Sequence, residues 1–261
     1  MGKSVKAVQK IALCLGEEQI TGYDFDNILY KNKHIIVLHA KDTIFIYDVK
    51  TGNKLFEIKN VENYHIYDNV IIIVVGGLYG AYSIKGECLL PCEYTGIAVE
   101  YLTKFGDMRV IKDGKMGVYS ISRKRFIIPI MYDDVRCWHG YYLVKNNGAE
   151  GLYSPNGKKI IQPSKYKWVE ITGVPNYFFV MNNEGLLGLF YGRKKILPCE
   201  YIDISTSEVH GVLKIMKEDD KEKYFVTGDN KIIEADDVDK DIKKGIMFLK
   251  DKKWYKYSEL K

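Results

Sequence analysis

The chain has 261 residues, 46% of them hydrophobic and 28% charged. That balance supplies a sizeable core and excludes a disordered, collagen-like or disulfide-dense chain. Its net charge of +5, with 39 basic and 34 acidic residues interspersed, describes a solvated surface and not the one-sided excess of a dedicated nucleic-acid binder.

At the N-terminus, Ile11–Leu15 behind Lys3 and Lys6 is too short for the apolar core of a signal peptide. Lys6 also breaks the myristoylation pattern that Met-Gly would open. No apolar run approaches the roughly 18 residues of a membrane helix, and Val70–Val75 is strand-sized. With an odd five cysteines (Cys14, Cys88, Cys92, Cys137, Cys199), the expectation is a cytoplasmic chain with reduced thiols and no membrane contact.

Along the chain one signature recurs: a hydrophobic strand, a polar turn, then Gly-apolar-aromatic. It reads Gly80-Ala81-Tyr82, Gly117-Val118-Tyr119, Gly151-Leu152-Tyr153 and Gly188-Leu189-Phe190, with glycine-free copies anchored at Tyr47, Phe225 and Tyr257. The seven anchors lie 32 to 37 residues apart, which is a repeat architecture. In the best-preserved unit Tyr132-Asp133-Asp134-Val135 is an opening joint and Tyr141–Lys145 a first strand. Asn146-Asn147-Gly148 is a hairpin turn, since Asn and Gly accept positive φ. Gly151–Ser154 is a second strand, Pro155-Asn156-Gly157 a turn, and Lys158–Gln162 a third strand ended by Pro163. Pro91-Cys92-Glu93-Tyr94 and Pro198-Cys199-Glu200-Tyr201 are near-identical joints. Lys250-Asp251-Lys252-Lys253-Trp254 aligns without a gap on Lys112-Asp113-Gly114-Lys115-Met116. Short segments rich in Ile, Val, Tyr and Phe and bounded by Gly, Asn, Asp or Pro predict an all-β protein.

These residues resemble the WG (KWG) repeat of bacterial proteins, whose core reads Lys-Trp-Gly-Leu-Ile-Asp, then Gly, Ile-Ile-Pro and Tyr-Asp-x-Val. The Trp-Gly pair stands here as Tyr79-Gly80, Met116-Gly117, Glu150-Gly151 and Leu187-Gly188, and Trp survives only at Trp254, before Tyr255. The match covers about residues 76–204. What the resemblance implies is repeat type and, where a role is suggested for the family, binding of other proteins. Ile44–Leu55 also resembles a blade of a WD40- or quinoprotein-type propeller.

Such units cannot bury both faces alone and must stack. The last unit ends after a first strand (Gly245–Lys250) and a second (Trp254–Ser258), whereas Lys10–Leu15 is a third strand with no unit before it. The expectation is a single repeat domain over residues 1–261, a closed toroid of about seven short blades. Residues 1–22 would supply the strand that completes the last blade. An open β-solenoid of hairpin repeats is the alternative.

Candidate chemistry is sparse. His139-Gly140 and His210-Gly211 each precede a first strand, so both would sit at one mouth of a propeller channel. No ligand spacing accompanies them, and turn capping is the plainer role. Cys92 and Cys199 are equivalent joint residues. Gly76-Gly77-Leu78-Tyr79-Gly80 is a hairpin turn without the Lys-Ser/Thr of a phosphate loop. Asp24, Asp133, Asp134, Asp203, Asp236 and Asp237 recur at joints, which fits Asx turns better than catalysis. Repeats differ where they bind, and Arg136-Cys137-Trp138-His139 is such a deviation, placed in an inter-strand loop. Trp168, Tyr101 and Lys104 fall in neighbouring loops of the same type. The expected partner-binding set is therefore Arg136, Trp138, His139, Trp168, Tyr101, Lys104 and His210, presented to a protein partner. No catalytic residue, cofactor or metal is expected. A small-molecule, metal-binding or hydrolytic propeller, and nucleic-acid binding, are the competing classes.

Overall fold

The structure is a computed structural model that describes residues 10–22, 24–67, 69–98, 106–218, 220–241 and 244–260. It is all-β: a short N-terminal ladder of β1 (Cys14–Leu15) and β2 (Glu18–Gln19), then seven antiparallel sheets in chain order. The first three sheets are β3 (Asn27–Lys31), β4 (Ile35–Ala40), β5 (Thr43–Asp48), β6 (Lys54–Ile58); β7 (Asn63–Tyr67), β8 (Val70–Val75), β9 (Leu78–Ser83), β10 (Cys88–Tyr94); and β11 (Gly96–Ala98), β12 (Asp107–Lys112), β13 (Lys115–Ser120), β14 (Arg125–Tyr132). Next come β15 (Asp134–Trp138), β16 (Tyr141–Asn146), β17 (Ala149–Tyr153), β18 (Lys159–Tyr166), and β19 (Trp168–Ile171), β20 (Tyr177–Met181), β21 (Leu187–Tyr191), β22 (Lys194–Tyr201). The last two are β23 (Asp203–Thr206), β24 (Val212–Met216), β25 (Lys223–Val226), β26 (Lys231–Ile233), and β27 (Asp237–Asp241), β28 (Gly245–Lys250), β29 (Lys253–Lys256).

Each four-stranded sheet is a meander in chain order, so its first and fourth strands are its edges. The joint that sequence reading treats as an opener is itself the first strand. An apolar position two residues into the joint gives the first strand of the third to sixth sheets something to bury, and the ladder gives its backbone partners. The final sheet holds three strands among the described residues.

The recurring glycine has a steric cause. A Cβ on Gly117 would lie 2.7 Å from the Ile128 carbonyl oxygen and 2.8 Å from the Ile130 nitrogen. On Gly151 it would meet the Ile161 oxygen and Pro163 nitrogen, each at 2.7 Å, and on Gly80 and Gly188 it would strike the Cys92 and Cys199 sulfurs. The fourth strand crosses that point in a bulge: pairing with the third strand shifts register between Leu90 and Tyr94, around Glu150–Leu152 and around Leu187–Leu189. Proline in Pro91, Pro129, Pro163 and Pro198 fits there because a bulged or edge position needs no ladder donor. Gly-apolar-aromatic and the proline joint are thus two halves of one close approach.

Contacts divide the chain into two compact units, 1–131 and 132–261. Within each, consecutive sheets stack face to face. In the first unit Ile35, Val37, Ile44 and Ile46 meet Ile71 and Ile73 of the next sheet, whose Val70, Ile72 and Ala81 meet Met108, Val110 and Tyr119. In the second, Leu152 and Ile161 meet Val169, Phe178 and Val180. Phe179 and Leu189 meet Ile204, Leu213 and Phe225, and Tyr224 and Val226 meet Phe248. Each fully buried large apolar side chain contributes about 1.5–3 kcal/mol. A stack of such interfaces therefore outweighs the weak sheets taken singly.

The N-terminal segment has partners within its own unit: Ile11 bridges to Phe25, Cys14 and Leu15 pair with Gln19 and Glu18, and Ile11 and Leu13 pack on the Phe25, Ile36, Leu38 and Tyr47 cluster. A tight turn at Gly16 (φ 63) folds the strand back on itself, so its ladder is satisfied locally.

Candidate functional site

One backbone bond aligns the seven sheets. The residue before each first strand donates its N–H to the carbonyl at or near the end of the second strand. The donors are Asp26, Glu62, Thr95, Asp133, Lys167, Ile202 and Asp236, all at 2.7–2.9 Å and spaced 33 to 38 residues apart. In four sheets the side chain at this position is an acid that clasps the turn between second and third strands. Asp26 accepts from Lys41 N–H (2.8 Å), Glu62 from Gly76 and Gly77 (2.8 and 3.0 Å), Asp133 from Asn147 (2.6 Å) and Asp236 from Asp251 (3.2 Å). These turns take positive φ, which exposes consecutive N–H groups to an anion. Asp133 and Asp236 therefore clamp a turn across the sheet instead of forming a local Asx turn.

Counted from that donor, the second residue is apolar in every sheet: Ile28, Tyr64, Ile97, Val135, Val169, Ile204 and Val238. It is buried in the four middle sheets. The third is Leu29, His65, Ala98, Arg136, Glu170, Ser205 and Asp239, seven different residue types on the same edge strand. Alternation along a strand explains the contrast, since neighbours face opposite sides. The first-strand edge is where the repeats are individual.

Arg136 and Trp138 lie on this edge, in β15 and not in a loop, which corrects the sequence expectation. The Arg136 guanidinium is held by two carboxylates, its Nε at 3.0 Å from Asp134 Oδ2 and its Nη2 at 3.0 Å from Glu150 Oε1. Glu150 is buried, and its other oxygen accepts the Val169 N–H at 3.0 Å. Arg136 is thus partly structural: it neutralises a buried acid that ties one sheet to the next. Trp138 is 58% exposed, more than any other large apolar side chain among the described residues. His139 follows at φ 47 and Gly140 at φ 83, forming the two-residue turn that joins Trp138 to its partner Tyr141. The His139 ring stands edge-on to Trp138, with centroids 5.1 Å apart.

The rest of the expected set is dispersed. Trp168 begins β19, packs partly on the Tyr177 and Phe179 core, and lines an open cleft of about 450 Å³. His210 is an exposed turn residue beside Gly211. The strand that follows each of these histidines, β16 or β24, is an interior strand of its sheet, not an edge. Tyr101 and Lys104 lie outside the described residues. Among the described residues no group of three or more His, Cys, Asp or Glu side chains gathers at metal-holding distance. Burial pushes the Cys92 and Cys199 thiols up, so both stay protonated and serve as packing under their glycines. Glu150 and Glu170 are site residues that sequence reading passes over. Glu150 is legible only as the one acid directly before a repeat glycine, where the other units have Tyr79, Met116 and Leu187, and nothing in the spacing distinguishes Glu170.

No protein-family model matches the chain, and no curated protein does. Among solved structures it is similar to the computationally designed protein Ika8, at 13% identity over 84% of this chain and 79% of that one, with a TM-score of 0.28. It is also similar to Kluyveromyces lactis Hsv2, at 10% identity over 75% and 71%, TM-score 0.27. AztD from Citrobacter koseri gives 11% identity over 78% and 69%, TM-score 0.32. Likeness at this level says nothing about function. The all-β repeat of blade-like four-stranded sheets stands on the chain's own geometry. No described helix is long and apolar enough to cross a membrane.

Proposed function

We propose that this chain is a non-enzymatic repeat module of the bacterial WG type that binds a protein partner along its first-strand edges, with Trp138 at the centre of the binding surface. The observation that carries the reading is Trp138 itself. A tryptophan 58% exposed on an edge strand contributes little to the fold, yet it is held upright by the His139 turn and flanked by a fixed guanidinium. Trp and Arg are the residues most enriched at binding hot spots, and an edge strand offers unpaired backbone groups beside them. A cytoplasmic location is part of this reading, supported by five unbridged cysteines. So is the closed ring of blades, supported by seven sheets that repeat one pairing scheme; small-angle scattering would separate a ring from an extended stack.

The test is affinity capture from bacterial lysate with wild type, Trp138→Ala, and Trp254→Ala as the control for another exposed tryptophan (46%). A partner kept by wild type and by the control, and lost with Trp138→Ala at unchanged thermal stability, supports the module. A captured set indifferent to Trp138 overturns it. Arg136 is left intact in this experiment because its removal strands Glu150.

A further inference from the structure

We propose that the cleft beside Trp168 binds an alkylguanidinium group, as carried by an arginine side chain or by a small free guanidine. The site does not depend on the Trp138 surface. It is an open cleft of about 450 Å³ between the first strands of two stacked sheets. Trp168 and Glu170 alternate onto one face of β19, where Glu170 pairs across the ladder with Phe179 and Trp168 with Met181. Leu187 continues that face, and Ile204, Ser205 and Thr206 of β23 form the facing wall.

The chemistry of the lining selects the ligand. A chain with 39 Lys and Arg places none of them in this wall, nor any His, while Glu170 supplies a carboxylate. Glu170 is exposed and makes no ion pair or hydrogen bond among the described residues. Two of the three hydroxyls lining the cleft have their protons engaged elsewhere, and Thr206 keeps an exposed one. Thr172 Oγ1 bonds the Val174 and Tyr177 carbonyls at 2.9 Å, and Ser205 Oγ donates to Asp203 Oδ2 at 3.0 Å. The lining is a carboxylate, the Thr206 hydroxyl, acceptor lone pairs, the half-buried Trp168 ring and the buried Phe179 ring behind it. An anion finds no donor charge there. A guanidinium finds a planar surface for stacking, a carboxylate for its N–H fork and apolar floor for its stem.

The experiment follows the tryptophan indole N–H signals of the full-length chain by NMR, with Trp168→Phe identifying the Trp168 signal. The probes are agmatine and the amide of Gly-Arg-Gly, each against Gly-citrulline-Gly amide, whose side chain is a neutral isostere of arginine's. Saturable shifts of the Trp168 signal are expected with a dissociation constant on the order of 1 mM, as suits a fragment-sized ligand. The citrulline peptide and the Glu170→Gln variant should each weaken binding by about tenfold, with thermal unfolding of Glu170→Gln unchanged. Tighter binding of the peptide names a polypeptide arginine as the source, and tighter binding of agmatine names a free guanidine; either supports the site. No shift at about 20 mM, or equal affinity for the citrulline peptide or in Glu170→Gln, overturns it.

Discussion

Glu150 and Val169 belong to neighbouring sheets, and a carboxylate oxygen of the first accepts the backbone N–H of the second at 3.0 Å. The other oxygen of Glu150 takes the Arg136 guanidinium, so one acid joins its own sheet to the next. Glu150 directly precedes the repeat glycine Gly151, where the other units carry Tyr79, Met116 and Leu187, so this unit alone of the four places a buried charge there, met by two donors.

Removing either end of that arrangement should cost stability. Arg136→Ala leaves the Glu150 charge uncompensated and is expected to lower unfolding free energy by about 1–3 kcal/mol. Glu150→Ala orphans the Val169 N–H at a similar cost, and the double variant should lose less than the sum of the two. Trp138→Ala should stay within about 0.5 kcal/mol of wild type. Urea titration of the four variants beside wild type checks this; an Arg136→Ala protein as stable as wild type would remove the structural role of Arg136.

Glycine substitutions should sort by what a Cβ meets. Gly151→Ala drives a methyl into backbone atoms of the β18 bulge and should cost about 2–3 kcal/mol, because backbone cannot step aside as a flexible side chain can. Gly173 has open space around it and no positive φ, so Gly173→Ala should change stability by no more than about 0.5 kcal/mol. Equal melting temperatures for the two variants would contradict the bulge explanation of the repeat signature.

The last hairpin turn carries strain that its homologue within the chain avoids. Asp251 and Lys252 sit at φ 51 and 64, where the aligned turn has Asp113 and Gly114. Lys252→Gly removes the Cβ clash of the left-handed region and should stabilise by about 0.5–1 kcal/mol despite the added freedom of the unfolded chain. Differential scanning calorimetry would show a higher Tm; a lower one refutes the argument.

Alkali should unfold the protein through its tyrosines. Burial, with help from Glu93 and Glu222 respectively, pushes Tyr94 and Tyr224 up to about 12. In the unfolded chain both ionise near 10. The folded state thus holds protons that the unfolded state gives up. Their contribution is complete below about pH 10 and is lost as pH rises toward 12, at most about 1.4 kcal/mol per pH unit for each tyrosine. Urea midpoints should hold steady up to about pH 10 and fall steeply above it, and Tyr94→Phe should soften that fall. A midpoint indifferent to pH over this range would count against it.

Asn147 and Gly148 show what local sequence can specify: a tight turn needing positive φ was legible from residue type alone, as were the strand character of Tyr141–Lys145 and the period near 35 residues. Backbone preference and alternation are properties of a few neighbouring residues, so they survive without a fold. Arg136 and Trp138 show the limit. Whether their segment was loop or strand depended on a partner, β16, whose ladder claims them, and whether Arg136 was free depended on Glu150, fourteen residues away in sequence and across the sheet. Glu170 gained meaning only when the β19–β20 ladder set it beside Phe179 and stacking put a wall of β23 opposite. Sequence determined the repeat, its turns and its glycines, because those are local steric requirements; tertiary structure decided which edge residues are tied down and which remain to bind, because that is settled by the side chains that distant strands bring near.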